Sequence, residues 1–434
     1  MGSRQRKALS IGFKGCYTKS VLKTESSQLM ESIQMAGADV VIVAIVVLWI
    51  GNRITQSVPL LSKYSIPIAV TGGLLCSLIV AAINTFGGLK ITFDMTFRDT
   101  LLMVFFTTIG VSAKFSRLAA GGKALGALVI CAAVFLVVQD VTGVLLAWAF
   151  DAHPGYGLFA GSVSLAGGHG TAIAWGREAK AAGLPNADVA GIAFATFGLI
   201  TGGIVGGPVA EWLIKRNNLV PDASQGPAPT SDESVADDSY SLALALRVML
   251  VIAICLSLGE VINRWLFHND IKLPGFLTAM LVGIVITNLA DRSGRPLPGG
   301  AFDKVGEIAL QLFLAMSLMS MDLSSLAESF GLITIVLMLQ TVVITLFAVL
   351  VVFRVMGRDY DAAVIVGGFC GLGMGATPVA IANMNAVTRK YGSSFKAFLV
   401  IPLVGAFFVD LINALVIKFF IGLPIIQHAP LPGG

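Results

Sequence analysis

Residues 371–384 read Gly371-Leu-Gly-Met-Gly-Ala-Thr-Pro-Val-Ala-Ile-Ala-Asn-Met384, with three alternating glycines and a proline inside one of the most apolar parts of the chain. In a helix interior a glycine costs about 1 kcal/mol and a proline about 3 relative to alanine. A plain lipid-crossing helix gains nothing from such residues, so the stretch predicts backbone that leaves the helix at membrane depth. Irregular backbone is tolerated there only when it is buried in protein or lines a wet cavity. A second glycine run, Gly167-Gly-His-Gly-Thr171, lies in the first half of the chain. At an offset of 206, Gly161, Gly167, Thr171 and Ala174 fall on Gly367, Gly373, Thr377 and Ala380. One glycine cluster alone reads as close helix packing of the GxxxG kind. Two clusters at matching places read as paired broken segments.

Composition places both runs in a membrane. Hydrophobic residues make up 56% of the 434 positions and charged residues 12%, against roughly 25% charged in a soluble domain. The mean hydropathy is +0.85. A net charge of +4 without a basic run interleaved with aromatics gives no nucleic-acid footprint. The five cysteines show no CxxC spacing and read as small buried hydrophobes.

Apolar runs near the roughly 20 residues needed to cross hydrocarbon fall near 38–52, 65–85, 100–113, 124–150, 156–175 and 187–213. In the second half they fall near 242–263, 273–290, 305–321, 331–353, 362–386 and 397–421. The domain reading is therefore a first repeat over 38–213, a polar linker over 214–241, a second repeat over 242–424 and a short tail over 425–434. Counting the fifth run of each half as a re-entrant hairpin leaves five spans per half and inverts the second half. On that count one side collects Arg53, Lys63, Lys114, Arg117, Lys123, Lys215, Arg216, Arg292, Arg295, Lys304, Arg354, Arg358, Arg389, Lys390 and Lys396. The other side, leaving out the N-terminal tail, holds Lys90, Arg98, Arg177, Lys180, Arg264 and Lys272. This positive-inside bias predicts an all-α polytopic fold of two inverted five-helix repeats, with the linker cytoplasmic and both termini periplasmic. Against it, residues 1–37 carry Arg4, Arg6, Lys7, Lys14, Lys19 and Lys23 with no acid before Glu25. The tail has no standard signal peptide, Arg6 stands where myristoylation needs Ser or Thr, and Met30 and Met35 are alternative starts.

Several stretches together resemble the bacterial glutamate:sodium symporter family. They are Gly167-Gly-His-Gly-Thr171 with Ala-Ile-Ala-Trp175, Phe105-Phe-Thr-Thr-Ile-Gly110, Ala195-Thr-Phe-Gly198, Gly203 to Gly207-Pro, Ala376-Thr-Pro378 with Ala380-Ile-Ala-Asn-Met384, and Val404-Gly-Ala-Phe-Phe408 with Asp410. The resemblance spans roughly Ala38 to Pro424. It implies an inner-membrane secondary transporter with two re-entrant loops entering from opposite faces, symport of Na+ with L-glutamate or a similar acidic solute, and a homodimer in which one domain carries the site across a fixed scaffold. Against the family's usual pattern, Asp140 replaces Asn, Val379 replaces a polar residue and Phe369 replaces His.

Freed N–H groups and half-helix N-termini hold carboxylates, while freed carbonyls and side-chain oxygens hold cations. The expected substrate contacts are thus Gly167, Gly168, His169, Gly170, Thr171, Gly373, Gly375, Thr377, Pro378 and Asn383. Arg177, two turns beyond the first loop, is a candidate partner for a substrate carboxylate. Intramembrane carboxylates read as functional by default, so Asp410 and Asp140, with Asn413, Thr377 and Asn383, are the expected Na+ ligands. A channel-like pore is the competing reading, but the two loops differ from each other and suit an asymmetric bound solute. Another acidic amino acid or a dicarboxylate is the alternative cargo. An intramembrane enzyme finds no Ser/His or metal spacing, with histidines at 153, 169, 268 and 428.

Overall fold

The computed structural model describes residues 31–63, 66–86, 89–115, 122–221, 241–269, 273–321 and 324–430. The basic residues of the tail, Arg117, Lys272 and the centre of the linker lie outside them. Among the described residues seven helices are long and apolar enough to cross a membrane.

The first half contains α1 (Ala38–Ser57), a short α2 (Pro59–Lys63), α3 (Ile68–Phe86), α4 (Thr96–Ser112), α5 (Gly122–Ala149), the pair α6 (Pro154–Phe159) and α7 (Gly168–Ala181), and α8 (Ala187–Asn217). The second contains α9 (Leu242–His268), α10 (Gly275–Arg292), α11 (Gly299–Met319) and α12, which begins at Ser324 and runs through a π turn at Ala348–Val352 to Val355. The pair α13 (Tyr360–Met374) and α14 (Thr377–Tyr391) follows, then α15, which starts at Phe395 and reaches Ile421, and a final turn α16 (Pro424–Gln427). Pro402 lies inside α15, and the π turn Val404–Phe408 follows directly. A proline there removes one hydrogen bond and crowds the preceding turn.

The all-α expectation needs one correction. Strand β1 (Glu31–Met35) pairs in parallel with β2 (Leu89–Phe93), Glu31 opposite Leu89 and Met35 opposite Phe93. A parallel pair requires a crossover, and α1 to α3 supply it. The end of the predicted tail is thus fastened onto the first repeat.

Packing sorts the helices into two groups, each drawing on both halves. In one, α1 lies on α3 and α9 lies on α10, α3 packs on α11, α10 packs on α4, and α4 and α11 meet each other. In the other, α5, α8, α12 and α15 surround the two broken pairs. Close approach in the second group comes from Gly198, Gly202 and Gly206, spaced by four on one face of α8. A Cβ at Gly198 would strike the Met374 carbonyl oxygen, and one at Gly206 would strike Asn383 and the Gly367 carbonyl. The groups meet where Gly170 faces Phe105 and Phe313, whose ring atoms lie 3.3 and 3.4 Å from the position of a Cβ.

Candidate functional site

Each glycine run lies beside a break in the chain, but the breaks differ in length, and only Gly167 of the first run and Gly375 of the second leave the helix. In the second pair only Gly375 and Ala376 leave the helix, while Gly371 and Gly373 stay helical within α13. The next helix can start at once because Pro378 falls in its first turn, where a missing N–H costs nothing. In the first pair residues 160–167 form a longer irregular turn before α7 begins at Gly168. At the opposite end of the second pair the Tyr360 hydroxyl donates to the Gly392 carbonyl at 2.5 Å. The chain therefore folds back into a hairpin.

The two breaks face each other. Gly168 has φ +69°, and a Cβ built on it would come nearest to the Gly375 carbonyl oxygen, at 3.8 Å. Around this meeting point Gly167, Gly168, Ala376 and Thr377 are half-buried, Pro378 is exposed, and His169, Gly170 and Thr171 are buried. A residue here can reach both half-helix ends at once.

Buried amides hold both breaks. Gln139 Nε2 donates to the Gly373 carbonyl at 2.9 Å, and Gln340 Nε2 donates to the carbonyls of Gln139 and Ala160 at 3.0 and 3.1 Å. Asn413 Nδ2 donates to the Ser162 carbonyl at 3.0 Å, and Asn383 Nδ2 to the Gly202 carbonyl at 2.9 Å. Asp140 accepts from the Ser162 backbone N–H at 2.7 Å and from the Ser162 hydroxyl at 2.9 Å. The Gly373 carbonyl of the second hairpin and the Ala160 and Ser162 carbonyls of the first thus have side-chain donors, as burial demands. The side-chain oxygens Gln139 Oε1, Gln340 Oε1 and Asn413 Oδ1 are sealed from solvent without a hydrogen-bond partner.

The expected Na+ ligands divide between the hairpins. Asn413 lies on the first, against Ser162 and Gly167, and Asp140 joins it there through Ser162. Asp410, three residues before Asn413 on α15, is half-buried and has no hydrogen-bond or ion-pair partner among the described residues. Thr377 and Asn383 belong to the second hairpin. Gly405 of the π turn abuts the Thr377 hydroxyl, while Asn383 is turned toward α8.

Arg177 stands apart from the meeting point. Nine residues beyond Gly168 at about 1.5 Å per residue, it ion-pairs with Asp99 of α4 at 3.2 Å and its side chain is 50% exposed. Asp99 is shared with Arg98 at 2.9 Å. Thr107 and Thr108 of the Phe105–Gly110 stretch bond back to carbonyls of their own helix. Sequence reasoning passed over Gln139, Gln340 and Ser162. The available signal was an uncharged amide inside an apolar run, which Asp140 beside Gln139 overshadowed.

Comparison with known proteins gives a consistent result. The sequence model described as Sodium/glutamate symporter matches residues 33–393. A relative from Escherichia coli (strain K12) named Sodium/glutamate symporter is 41% identical over 389 residues, covering 88% of this chain and 97% of the relative. One of the same name from Haemophilus influenzae is 39% identical over 381 residues, covering 86% and 94%. Among solved structures, the sodium proton antiporter MjNhaP1 from Methanocaldococcus jannaschii covers 91% of this chain and 99% of its own at 12% identity and a TM-score of 0.40, too loose a likeness to carry any shared detail. Matched over most of its length by that model and by relatives it spans nearly end to end, the chain belongs to the sodium/glutamate symporter family.

Proposed function

We propose that this protein is a secondary active transporter of a bacterial inner membrane, coupling Na+ entry to uptake of L-glutamate or a similar acidic amino acid. The observation that carries the reading is the apposition of Gly168 and Gly375 in a chain 41% identical to a relative named for sodium and glutamate. An anionic substrate between the tips lies against the N-terminal ends of α7 and α14, where helix dipoles and orphan N–H groups favour negative charge. The glycines at 167, 168, 170, 373 and 375, with His169, Thr171, Thr377, Pro378 and Asn383, form or support that enclosure. Arg177, committed to Asp99 at the far end of α7, links the two helix groups.

For the cation, Asp410, Asn413 and Asp140 on the first hairpin's side form the main oxygen set, with Thr377 and Asn383 on the other. Attraction of unit charges at an effective dielectric of about 20 is worth roughly 4 kcal/mol at 4 Å, which draws Na+ and repels the anionic substrate, keeping the two apart. The inverted repeat is supported by the matched pairing of helices, α3 on α11 and α10 on α4, and by the charge asymmetry. Under it the linker is cytoplasmic and both termini are periplasmic. Assembly as a homodimer, with one helix group carrying the site past the other, belongs to the same proposal.

The test is uptake of labelled glutamate into proteoliposomes with and without an inward Na+ gradient. Accumulation should require the gradient and vanish when a sodium ionophore collapses it. Equal uptake in both conditions would remove the coupling.

A further inference from the structure

His169 lies in the first turn of α7, at the tip of the first hairpin, and is 6% exposed. Its Nε2 is 2.9 Å from the Thr196 hydroxyl oxygen, and that oxygen is 2.9 Å from the Ile192 carbonyl oxygen. A hydroxyl has one proton. The oxygen-to-oxygen contact needs it, because lone pairs facing each other at that distance repel. The second contact therefore takes its proton from the imidazole. Nε2 is the protonated nitrogen, and in the neutral ring Nδ1 carries the lone pair.

Nδ1 has no hydrogen-bond partner among the described residues and is not among the side-chain atoms sealed from solvent. Being bonded to Cγ, it lies close to the backbone of its own turn. The N–H groups of His169 and Gly170 in that turn likewise have no acceptor among the described residues, as first-turn donors of a helix lack intrahelical partners. One acceptor beside two donors, at the positive end of a helix, complements a zwitterionic amino-acid head. The carboxylate takes the N–H pair and the ammonium donates to Nδ1.

We infer that Thr196 is a positioning residue that fixes the His169 ring so that Nδ1 accepts from the α-ammonium of the substrate, and that this contact separates an acidic amino acid from a dicarboxylate of the same length. The inference rests on the proposed transport of an acidic amino acid. It adds a residue on α8, outside both glycine loops. Thr196→Val keeps the side-chain shape and deletes the acceptor, leaving the ring free to turn or to move its proton to Nδ1. Either change turns a hydrogen-bond acceptor away from the ammonium or replaces it with a donor.

The experiment measures half-saturating glutamate, and inhibition by glutarate, in proteoliposomes at saturating Na+. Glutarate has both carboxylates and no ammonium. In Thr196→Val the half-saturating glutamate concentration should rise about tenfold, the range of one hydrogen bond to a charged group, while the glutarate inhibition constant stays within about twofold, so that selectivity collapses. Thr196→Ser, which retains the hydroxyl, should restore it. A purely structural Thr196 would weaken both ligands together, and that result, or a serine variant as unselective as valine, overturns the inference. Should Thr196→Val not reach the membrane, Thr196→Ala carries the same comparison. A wild-type protein with no Na+-dependent glutamate uptake would instead remove the proposed function itself.

Discussion

Gly168 and Gly373 are glycines for different reasons, and substitutions separate them. At Gly168 the backbone has φ +69°, and the nearest atom to an added Cβ is the Gly375 carbonyl oxygen at 3.8 Å. Space is available there, but the conformation excludes most residues. Gly168→Ala should cost about 1–2 kcal/mol, the penalty for an L residue in left-handed backbone. Gly168→Asn should cost less, because asparagine visits that region more readily, and Gly168→Val should cost most. At Gly373 the backbone is ordinary helix, but an added Cβ would sit 2.6 Å from Ile344 Cδ1 and 2.8 Å from Phe135 Cε1. Gly373→Ala should therefore cost about 1–3 kcal/mol from overpacking. Ile344→Val deletes the nearer obstacle and should recover part of the loss in the double variant. The assay is the midpoint of thermal unfolding in detergent, paired with glutamate uptake. Where the tip relaxes before the whole fold does, 1–2 kcal/mol lowers the ratio of competent to incompetent tip about 5- to 30-fold, and half-saturating glutamate rises as the competent fraction falls. An asparagine at 168 as damaging as valine would show that the sign of φ is not what the position requires. Failure of Ile344→Val to help Gly373→Ala would refute the packing account.

Asp140→Asn should change stability by less than about 1 kcal/mol, since the amide can still accept from the Ser162 N–H and donate to its hydroxyl oxygen. Asp140→Ala should cost about 1–3 kcal/mol or more, because it leaves a buried N–H unpaired; equal unfolding midpoints for the two would contradict the geometry. Asp410→Asn should raise half-saturating Na+ about tenfold or more while glutamate affinity at saturating Na+ changes little. An effect of Asp140→Asn on Na+ dependence without one from Asp410→Asn would move the cation away from α15. Single cysteines at Lys180 and Arg389, both exposed, should react with a membrane-impermeant thiol reagent from opposite sides in a background without native cysteines. Labelling of both from one side would end the inverted-repeat proposal. Arg177→Gln and Asp99→Asn should each cost no more than about 1 kcal/mol, as a solvent-reached ion pair does. A large rise in half-saturating glutamate from Arg177→Gln alone would return Arg177 to the substrate.

Residue types and their order along the chain determined the membrane class, the apolar runs that become long helices and the existence of two broken segments, because these depend on local quantities. Hydropathy over about 20 residues decides what enters lipid, and a Gly-x-Gly-x-Gly run followed by Thr-Pro decides where a helix stops, whatever surrounds it. Element boundaries followed closely, as with α8 starting at Ala187 and α15 ending at Ile421, where the runs 187–213 and 397–421 begin and end. Pairings across hundreds of residues were decided by tertiary structure. The strand Glu31–Met35 exists because Leu89–Phe93 is beside it, and five residues at the end of a tail, three of them polar, give no sign of a partner more than fifty positions away. Gly373 looked like loop backbone, yet Phe135 and Ile344 make it a packing residue. Asn413, grouped by the sequence with Thr377 and Asn383, lies against the first hairpin because its helix passes Ser162. Arg177, placed near the substrate by its distance along the chain, is held by Asp99 from the other helix group. The hydroxyl that meets His169 Nε2 comes from Thr196 on a different helix. A single sequence records what each segment can do locally; which hydrogen-bond donor meets which acceptor is fixed only when the segments pack, because burial then requires each polar group to find a partner in three dimensions.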